Sequence, residues 1–243
     1  MILVTGAAGA IGRATVRAFR AAGCPVVGFD TDPAVVETME QADYAGFVVD
    51  VRDERAVEKA IREAHERGPL HHVVGIAGGA LPDEPPTQDD PVRLDPETFR
   101  ASLDLNLTSQ FVVLRAALPW LRESSGDRSI TLTSSWNALT GCGMPAYSAA
   151  KAGLIGMMHA LTAPLGAEGI RVNVVAPGTI RTPRTERIWA HDDGHWGRLE
   201  AGTALGRLGT PDDVAETCLA LATRLTHVTG QVLVVDGGQM VKR

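Results

Sequence analysis

Cysteine is scarce in this chain. There are three, Cys24, Cys142 and Cys218, an odd number at unrelated spacings. They indicate neither a disulfide framework nor a zinc site, and a reduced, cytoplasmic setting is expected. Membrane-length apolar runs are missing too; the longest, Ala152 to Leu165, is interrupted by His159 and Pro164. No charged stretch leads into an apolar one at the N-terminus, which begins as a strand, so no secretory leader is expected. Positive charge is in deficit, with 23 Lys and Arg against 29 Asp and Glu and a formal charge of −6. That balance argues against nucleic-acid or anionic-membrane partners. Linkers, repeats and low-complexity tracts are also missing, so residues 1–243 read as one domain.

What is present fits a globular chain: 243 residues, 44% hydrophobic and 21% charged, enough for a substantial core. Short β-branched runs alternate with helical patterns, the signature of parallel βαβ units. Strands are expected at Ile2–Thr5, Val26–Phe29, Phe47–Val49, Val73–Ile76, Ser129–Ser135, Ile170–Val175 and Gln231–Val235. Helices are expected from Ile11 to Ala22, after Asp53 as cap, and from Asp95-Pro96-Glu97 to about Glu123. A further helix carries Tyr147 and runs to about Glu168, with Pro164 expected to kink or end it. Another starts at Thr210-Pro211-Asp212-Asp213. The whole reads as an α/β fold, a Rossmann-like doubly wound sheet of seven mainly parallel strands with helices on both faces.

Tyr147 and Lys151 stand at i and i+4, so on a helix they share a face. A free phenol loses its proton only near pH ~10. An ammonium held close favours the phenolate, and a tyrosine so tuned can exchange a proton with an alcohol or carbonyl. The turn Thr5-Gly6-Ala7-Ala8-Gly9-Ala10-Ile11-Gly12 separates the first strand from the first helix. Glycines there let backbone approach a pyrophosphate at a helix N-terminus. Asp30 closes the second strand at the spacing expected of an acid that bonds adenosine ribose hydroxyls.

With these motifs the chain resembles the short-chain dehydrogenase/reductase family, in its compact single-domain branch, over essentially its whole length. The match runs in family order through the glycine turn, Asp50-Val51, Ala77-Gly78, Asn106, Ser134-Ser135, Tyr147 and Lys151. It continues with Asn173 to Pro177-Gly178, Ile180, Thr182, and Thr229-Gly230-Gln231 through Asp236-Gly237-Gly238. The resemblance implies NAD as cofactor, held by Gly6, Gly9, Ile11, Gly12, Asp30, Asp50, Val51, Ala77, Gly78, Tyr147, Lys151, Pro177, Gly178, Ile180 and Thr182. Within that set, Asp50 and Val51 would hold the adenine, and Ile180 and Thr182 the carboxamide and pyrophosphate. Tyr147 would be the acid/base, Lys151 would lower its pKa and grip the nicotinamide ribose, and Asn106 would order a relay water. A homotetramer built through the Asn106 helix, the Tyr147 helix and the last strand is implied as well.

Two departures stand out. Ala10 replaces a glycine usual in this branch. Gly75-Ile76-Ala77-Gly78 stands for the usual Asn-Asn-Ala-Gly, which removes an amide that steadies the central sheet. The family's serine is also ambiguous here. Counting back from Tyr147 selects Ser134, whereas aligning the strand selects Ser135. A one-residue strand slip would reverse every side chain, while the loop 136–146 absorbs a deletion at small cost, so Ser135 is expected.

The same resemblance implies that residues 183–202 form a lid over a small-molecule substrate, with Trp189 and Trp196 shielding it. His191-Asp192-Asp193 and His195 fall in that stretch, and no metal site is expected from them. Trp136, Leu139, Cys142 and Met144 are candidates either for an apolar substrate wall or for core packing. The expected function is hydride transfer between NAD(H) and a secondary alcohol or ketone. The alternatives are an NADP-dependent ketoreductase, which Asp30 disfavours, and a non-catalytic dinucleotide sensor, which would have lost the Ser, Tyr or Lys.

Overall fold

The computed structural model describes residues 1–37, 43–84, 90–141, 143–189 and 194–241. Its framework is one seven-stranded sheet of order β3-β2-β1-β4-β5-β6-β7. The strands are β1 Ile2–Thr5, β2 Val26–Asp30, β3 Tyr44–Val48, β4 His72–Gly75, β5 Arg128–Thr133, β6 Ile170–Pro177 and β7 Val232–Val235. Every pairing is parallel. β3 starts three residues before the expected Phe47, and β5 stops before Ser134, whose N–H still reaches the Val175 carbonyl of β6 at 2.8 Å.

The register sorts the core into two layers. Leu3 sits level with Val27 on one side and Val73 on the other, and Val73 continues to Ile130 and Val172. This row joins buried residues of α3 (Glu54–His65), α5 (Ser109–Glu123) and α7 (Pro145–Ala167), including Ile61, Leu121 and Leu154. Ile2, Val4, Val26 and Val74 point the other way, to α1 (Ala10–Ala21) and α10 (Pro211–Thr223), where Phe19, Cys218 and Leu221 are buried. Burying these side chains is worth about 1.5–3 kcal/mol for each large one. The remaining helices are α2 (Ala34–Glu37), α4 (Pro96–Leu103), α6 (Asn137–Thr140), α8 (Pro183–Ile188) and α9 (His195–Ala201).

Helix boundaries follow cap chemistry. Asp53 accepts the Arg55 and Ala56 N–H groups at the start of α3, and Thr210 forms a reciprocal capping box with Asp213 at α10. Asp95 holds the cap position of α4, but its side chain accepts no cap hydrogen bond. Two helical expectations are corrected. The helix from Pro96 to Glu123 is not uniform, because a π turn, Asp104–Thr108, lies between α4 and α5. Pro164 does not end α7, which continues to Ala167. It lies on an exposed face of the last turn, where water can serve the Ala160 carbonyl that loses its donor.

Candidate active site

The ends of β1, β2, β4, β5 and β6 open on one edge of the sheet, and the strand order reverses between β1 and β4. Open α/β sheets bind ligands at such a switch point, outside the carboxyl ends of the strands. Gly6 turns the chain there with φ +70°. Gly12 is pressed against the turn so closely that a Cβ would lie 1.9 Å from the Gly6 carbonyl oxygen. Gly9 is the N-cap of α1, with φ −68° and no side-chain cap, so first-turn N–H groups are left for an anion. Ala10 simply opens the helix, and its methyl is accommodated.

Asp30 is fixed against this turn. One carboxylate oxygen accepts the Ala8 N–H at 2.9 Å, the other that of Asp32 at 3.0 Å. Arg13 donates through Nε to the Ala8 carbonyl at 2.7 Å. Uncapped N–H groups for a pyrophosphate and a carboxylate for ribose hydroxyls together fit a dinucleotide. Asp50 is tied to Arg52, with contacts of 2.7–3.2 Å that hold its carboxyl below the usual carboxylate range. Its neighbour Val51 is buried. Thr5 Oγ1 accepts the Ile76 and Ala77 N–H groups at 3.1 and 3.2 Å, which fastens the end of β1 to the segment leading to Gly78.

Tyr147 lies in the first turn of α7, and the Ser135 hydroxyl, which accepts the Asn137 N–H at 3.2 Å, lies near enough to its phenol to favour the phenolate. Ser134 turns the other way. Its hydroxyl donates to the Lys151 carbonyl at 2.7 Å and is buried. Lys151 Nζ lies 5.7 Å from the centre of the Tyr147 ring and donates to the Thr133 carbonyl at 2.9 Å. Burial brings this lysine down to about 8.

The tuning of Tyr147 differs from the expectation. Burial pushes the phenol up, the Ser135 hydrogen bond and the Arg184 charge push it down, and the Glu84 charge pushes it up again. Lys151 is not among these influences, for a physical reason. An ammonium that titrates near 8 is already neutral where a phenol of raised pKa ionises. Its charge favours the phenolate only at lower pH.

Asn106 is buried in the π turn, and both hydrogens of its amide are engaged. It accepts the Gly79 N–H at 2.7 Å and donates to the Gly79 and Ser102 carbonyls at 3.1 and 3.0 Å. The side chain thus clamps the loop after β4. Pro177 ends β6 and its carbonyl accepts the Trp136 N–H at 2.8 Å, while the Gly178 N–H reaches the Val235 carbonyl at 2.9 Å. Ile180 is buried and bridges to Gly209, and Thr182 caps α8 in a reciprocal box with Thr185. Trp189 stacks on His195 at 3.8 Å, and Arg181 lies 5.3 Å over Trp196. Met144 is buried and accepts from Asn137, whereas Leu139 is 41% exposed. Cys142 and His191, Asp192 and Asp193 lie outside the described residues.

The family profile described as "Enoyl-(Acyl carrier protein) reductase" matches residues 6–240. L-fucose dehydrogenase of Mus musculus is 35% identical over 98% of this chain and 87% of its own. The 2,3-dihydro-2,3-dihydroxybenzoate dehydrogenase of Escherichia coli is 31% identical over 98% and 95%. A crystal structure of a short-chain dehydrogenase/reductase family oxidoreductase from Burkholderia thailandensis superposes with a TM-score of 0.88 at 35% identity, covering 99% of this chain and 92% of that one. The chain belongs to the short-chain dehydrogenase/reductase family.

As a short-chain dehydrogenase/reductase it is an oxidoreductase that uses a nicotinamide dinucleotide. Three residues outside the motifs complete this member of the family. Gln110 offsets the amide missing from β4. It is buried on α5 and donates to the Ala77 carbonyl at 2.7 Å, and its own oxygen fills the space where a Gly75 Cβ would fall, 2.2 Å away. Glu84, only 1% exposed, accepts the Ala146 N–H at 2.7 Å and the Tyr147 N–H at 3.1 Å, so a loop carboxylate caps the Tyr147 helix. Arg184 of α8 donates to the Ala80 carbonyl across the cleft. Among the described residues no helix is long and apolar enough to cross a membrane.

Proposed function

We propose that this short-chain dehydrogenase/reductase interconverts a secondary alcohol and a ketone with NAD(H), using Tyr147 as acid/base. The observation that carries this is Lys151 Nζ, 5.7 Å from the Tyr147 ring centre, with the Ser135 hydroxyl near enough to the phenol to favour its phenolate. Bound nicotinamide supplies the hydride acceptor or donor. Ser135 holds the substrate oxygen, and Tyr147 takes its proton on oxidation or returns it on reduction. Lys151 favours the phenolate while protonated and reaches the nicotinamide ribose. Asn106 keeps the Gly79 loop in place beside them and orders the relay water. Gly6, Gly9, Ile11 and Gly12 would hold the pyrophosphate, together with Thr182. Asp30 would hold the adenosine ribose, and Asp50 with Val51 the adenine. Ala77, Gly78, Pro177, Gly178 and Ile180 would line the nicotinamide side. The segment 183–202 serves as the lid.

The two dehydrogenases named above differ in substrate, one a sugar and the other a dihydrodiol acid by their names, so the substrate is not inherited from them. The test is Tyr147→Phe. Turnover should fall ~10²–10⁴-fold, the usual worth of general acid–base catalysis, while NADH fluorescence titration shows near-native affinity. Retention of more than about a tenth of wild-type kcat contradicts the acid/base role. A non-catalytic sensor would bind NADH yet turn over none of a panel of secondary alcohols and ketones.

We further infer a homotetramer. On α7, Ala149, Ala152, Gly156 and Ala160 form an exposed face of small residues, and α5 presents Phe111 at 54% exposure. Such faces suit close helix packing between copies, and light scattering after gel filtration measures the mass directly.

A further inference from the structure

Arg184 is the charged group at the cleft that hydride transfer to a neutral alcohol leaves without a role. It is the second residue of α8, and its side chain crosses from the lid to the loop that leaves β4. There it donates to the Ala80 carbonyl, and Nη1 occupies the space of a Gly79 side chain, 2.3 Å from where a Cβ would lie. Gly79 thus leaves room for the guanidinium. The group lies near enough to Tyr147 to favour its phenolate.

Two nearby arginines are neutralised. Arg181 pairs with Glu186 at 3.0 Å and lies 3.9 Å from Glu200, and Arg207 pairs with Asp213 at 2.8 Å. Among the described residues no carboxylate pairs with Arg184, and its Nε and Nη1 make no protein hydrogen bond. A planar guanidinium with one carbonyl partner keeps a free edge matched to a second planar acceptor.

We propose that Arg184 anchors a carboxylate on the substrate, so that this chain acts on hydroxycarboxylic acids and the corresponding oxo acids. It rests on the oxidoreductase assignment above and narrows it. Charge selects a carboxylate over a phosphate ester. Arg184 offers one uncompensated positive charge, and the Glu84 carboxylate buried behind Tyr147 opposes a second negative one. Holding the reacting oxygen at Tyr147 and Ser135, and the carboxylate at Arg184, fixes the substrate at two points and so sets its orientation.

The experiment compares wild type, Arg184→Lys and Arg184→Gln on short-chain hydroxycarboxylates, their methyl esters and matching phosphate monoesters. Wild type should favour acid over ester in kcat/KM by about tenfold or more, the worth of a charge-assisted hydrogen bond. The difference should lie mainly in KM. Arg184→Gln should bring the acid-to-ester ratio near one, and Arg184→Lys should restore part of it. A wild-type ratio near one, or a preference for the phosphate ester, overturns the proposal. So does a loss of NADH affinity in Arg184→Gln that accounts for the whole effect, since Arg184 would then serve the cofactor. Thermal shift of the NADH complex reads substrate binding without turnover. Stabilisation by the acid but not the ester, lost in Arg184→Gln, supports the anchor even where neither is oxidised. In that event the reaction assignment fails and the carboxylate site stands.

Discussion

The Glu84 carboxylate grips the main chain of Tyr147: each of its oxygens lies 3.1 Å from the Tyr147 nitrogen. One oxygen also takes the Ala146 N–H at 2.7 Å, and the other lies 3.5 Å from the Ser102 hydroxyl on α4. A buried anion at a helix N-terminus meets the positive end of the helix dipole as well as two donors that have no helical partner. The same charge opposes formation of the phenolate a few atoms away. Burial is what chiefly keeps the tyrosine protonated, and the carboxylate that fixes it in place adds to that effect.

Removing that carboxylate has separable effects. Glu84→Ala leaves two buried donors without an acceptor, at about 1–3 kcal/mol each. In a chain of this size that is a fall in Tm of roughly 4–12 °C, with kcat reduced as α7 loses its cap. Glu84→Gln keeps one oxygen for both N–H groups and removes the charge. Its stability should stay closer to wild type, and the tyrosine limb of its kcat–pH profile should move to lower pH. Wild-type melting of Glu84→Ala, or an unmoved limb in Glu84→Gln, contradicts this arrangement.

The adjacent serines should part in the same manner. Ser134→Ala loses a buried hydrogen bond to the Lys151 carbonyl, worth about 1 kcal/mol of stability, and little activity. Ser135→Ala removes the hydroxyl beside the Tyr147 phenol, and kcat should drop on the order of 10²–10³-fold, as when a donor to a developing oxyanion is removed. If Ser134→Ala is the more damaging to kcat, with both variants folded and binding NADH, the assignment of the two hydroxyls is reversed.

The legible parts of this molecule were those whose causes are local. β-branched runs marked the strands, Asp53 and the Thr210 box marked helix starts, and the four-residue spacing of Tyr147 and Lys151 marked the site. The unread parts depend on partners distant in sequence. Glu84 looks like one more acid in a Pro- and Asp-rich loop, because its partners lie 62 and 63 residues away. Gln110 looks like an ordinary polar helix residue until Gly75 and Ala77 are placed beside it. Arg184 gives no periodic signal on a six-residue helix. The π turn around Asn106 left the helical pattern of its flanks intact. Pro164 did not end its helix early, since an exposed last turn tolerates a proline that a buried one would not.

Cofactor choice tests the other end of the cleft. A carboxylate ~4 Å from an adenosine 2′-phosphate is repelled by about 4 kcal/mol at the dielectric of a protein surface. Arg13, fixed on the Ala8 carbonyl, reduces this repulsion, so the expected preference for NAD over NADP is about tenfold or more in kcat/KM. Asp30→Ser should narrow it chiefly by raising kcat/KM with NADP, because the Arg13 charge then faces no carboxylate. Equal kcat/KM with the two cofactors in the wild-type protein would falsify the role of Asp30.

Lys151 provides a test that needs neither cofactor nor substrate. Burial lowers it from 10.5 to about 8, so between these values the unfolded chain binds a proton that the folded chain has released. Unfolding free energy then rises with pH across that window. Below pH 8 the folded protein carries a penalty of about 3 kcal/mol for its buried ammonium, and the penalty fades as pH nears 10.5. Lys151→Met has no such group. Urea unfolding of both proteins, each also carrying Tyr147→Phe so that the phenol does not titrate, should show Lys151→Met losing its relative advantage by about 3 kcal/mol between pH 8 and 10.5. Parallel stability curves across that window would mean that the lysine titrates normally, and the ammonium could then stay charged beside Tyr147 well above pH 8.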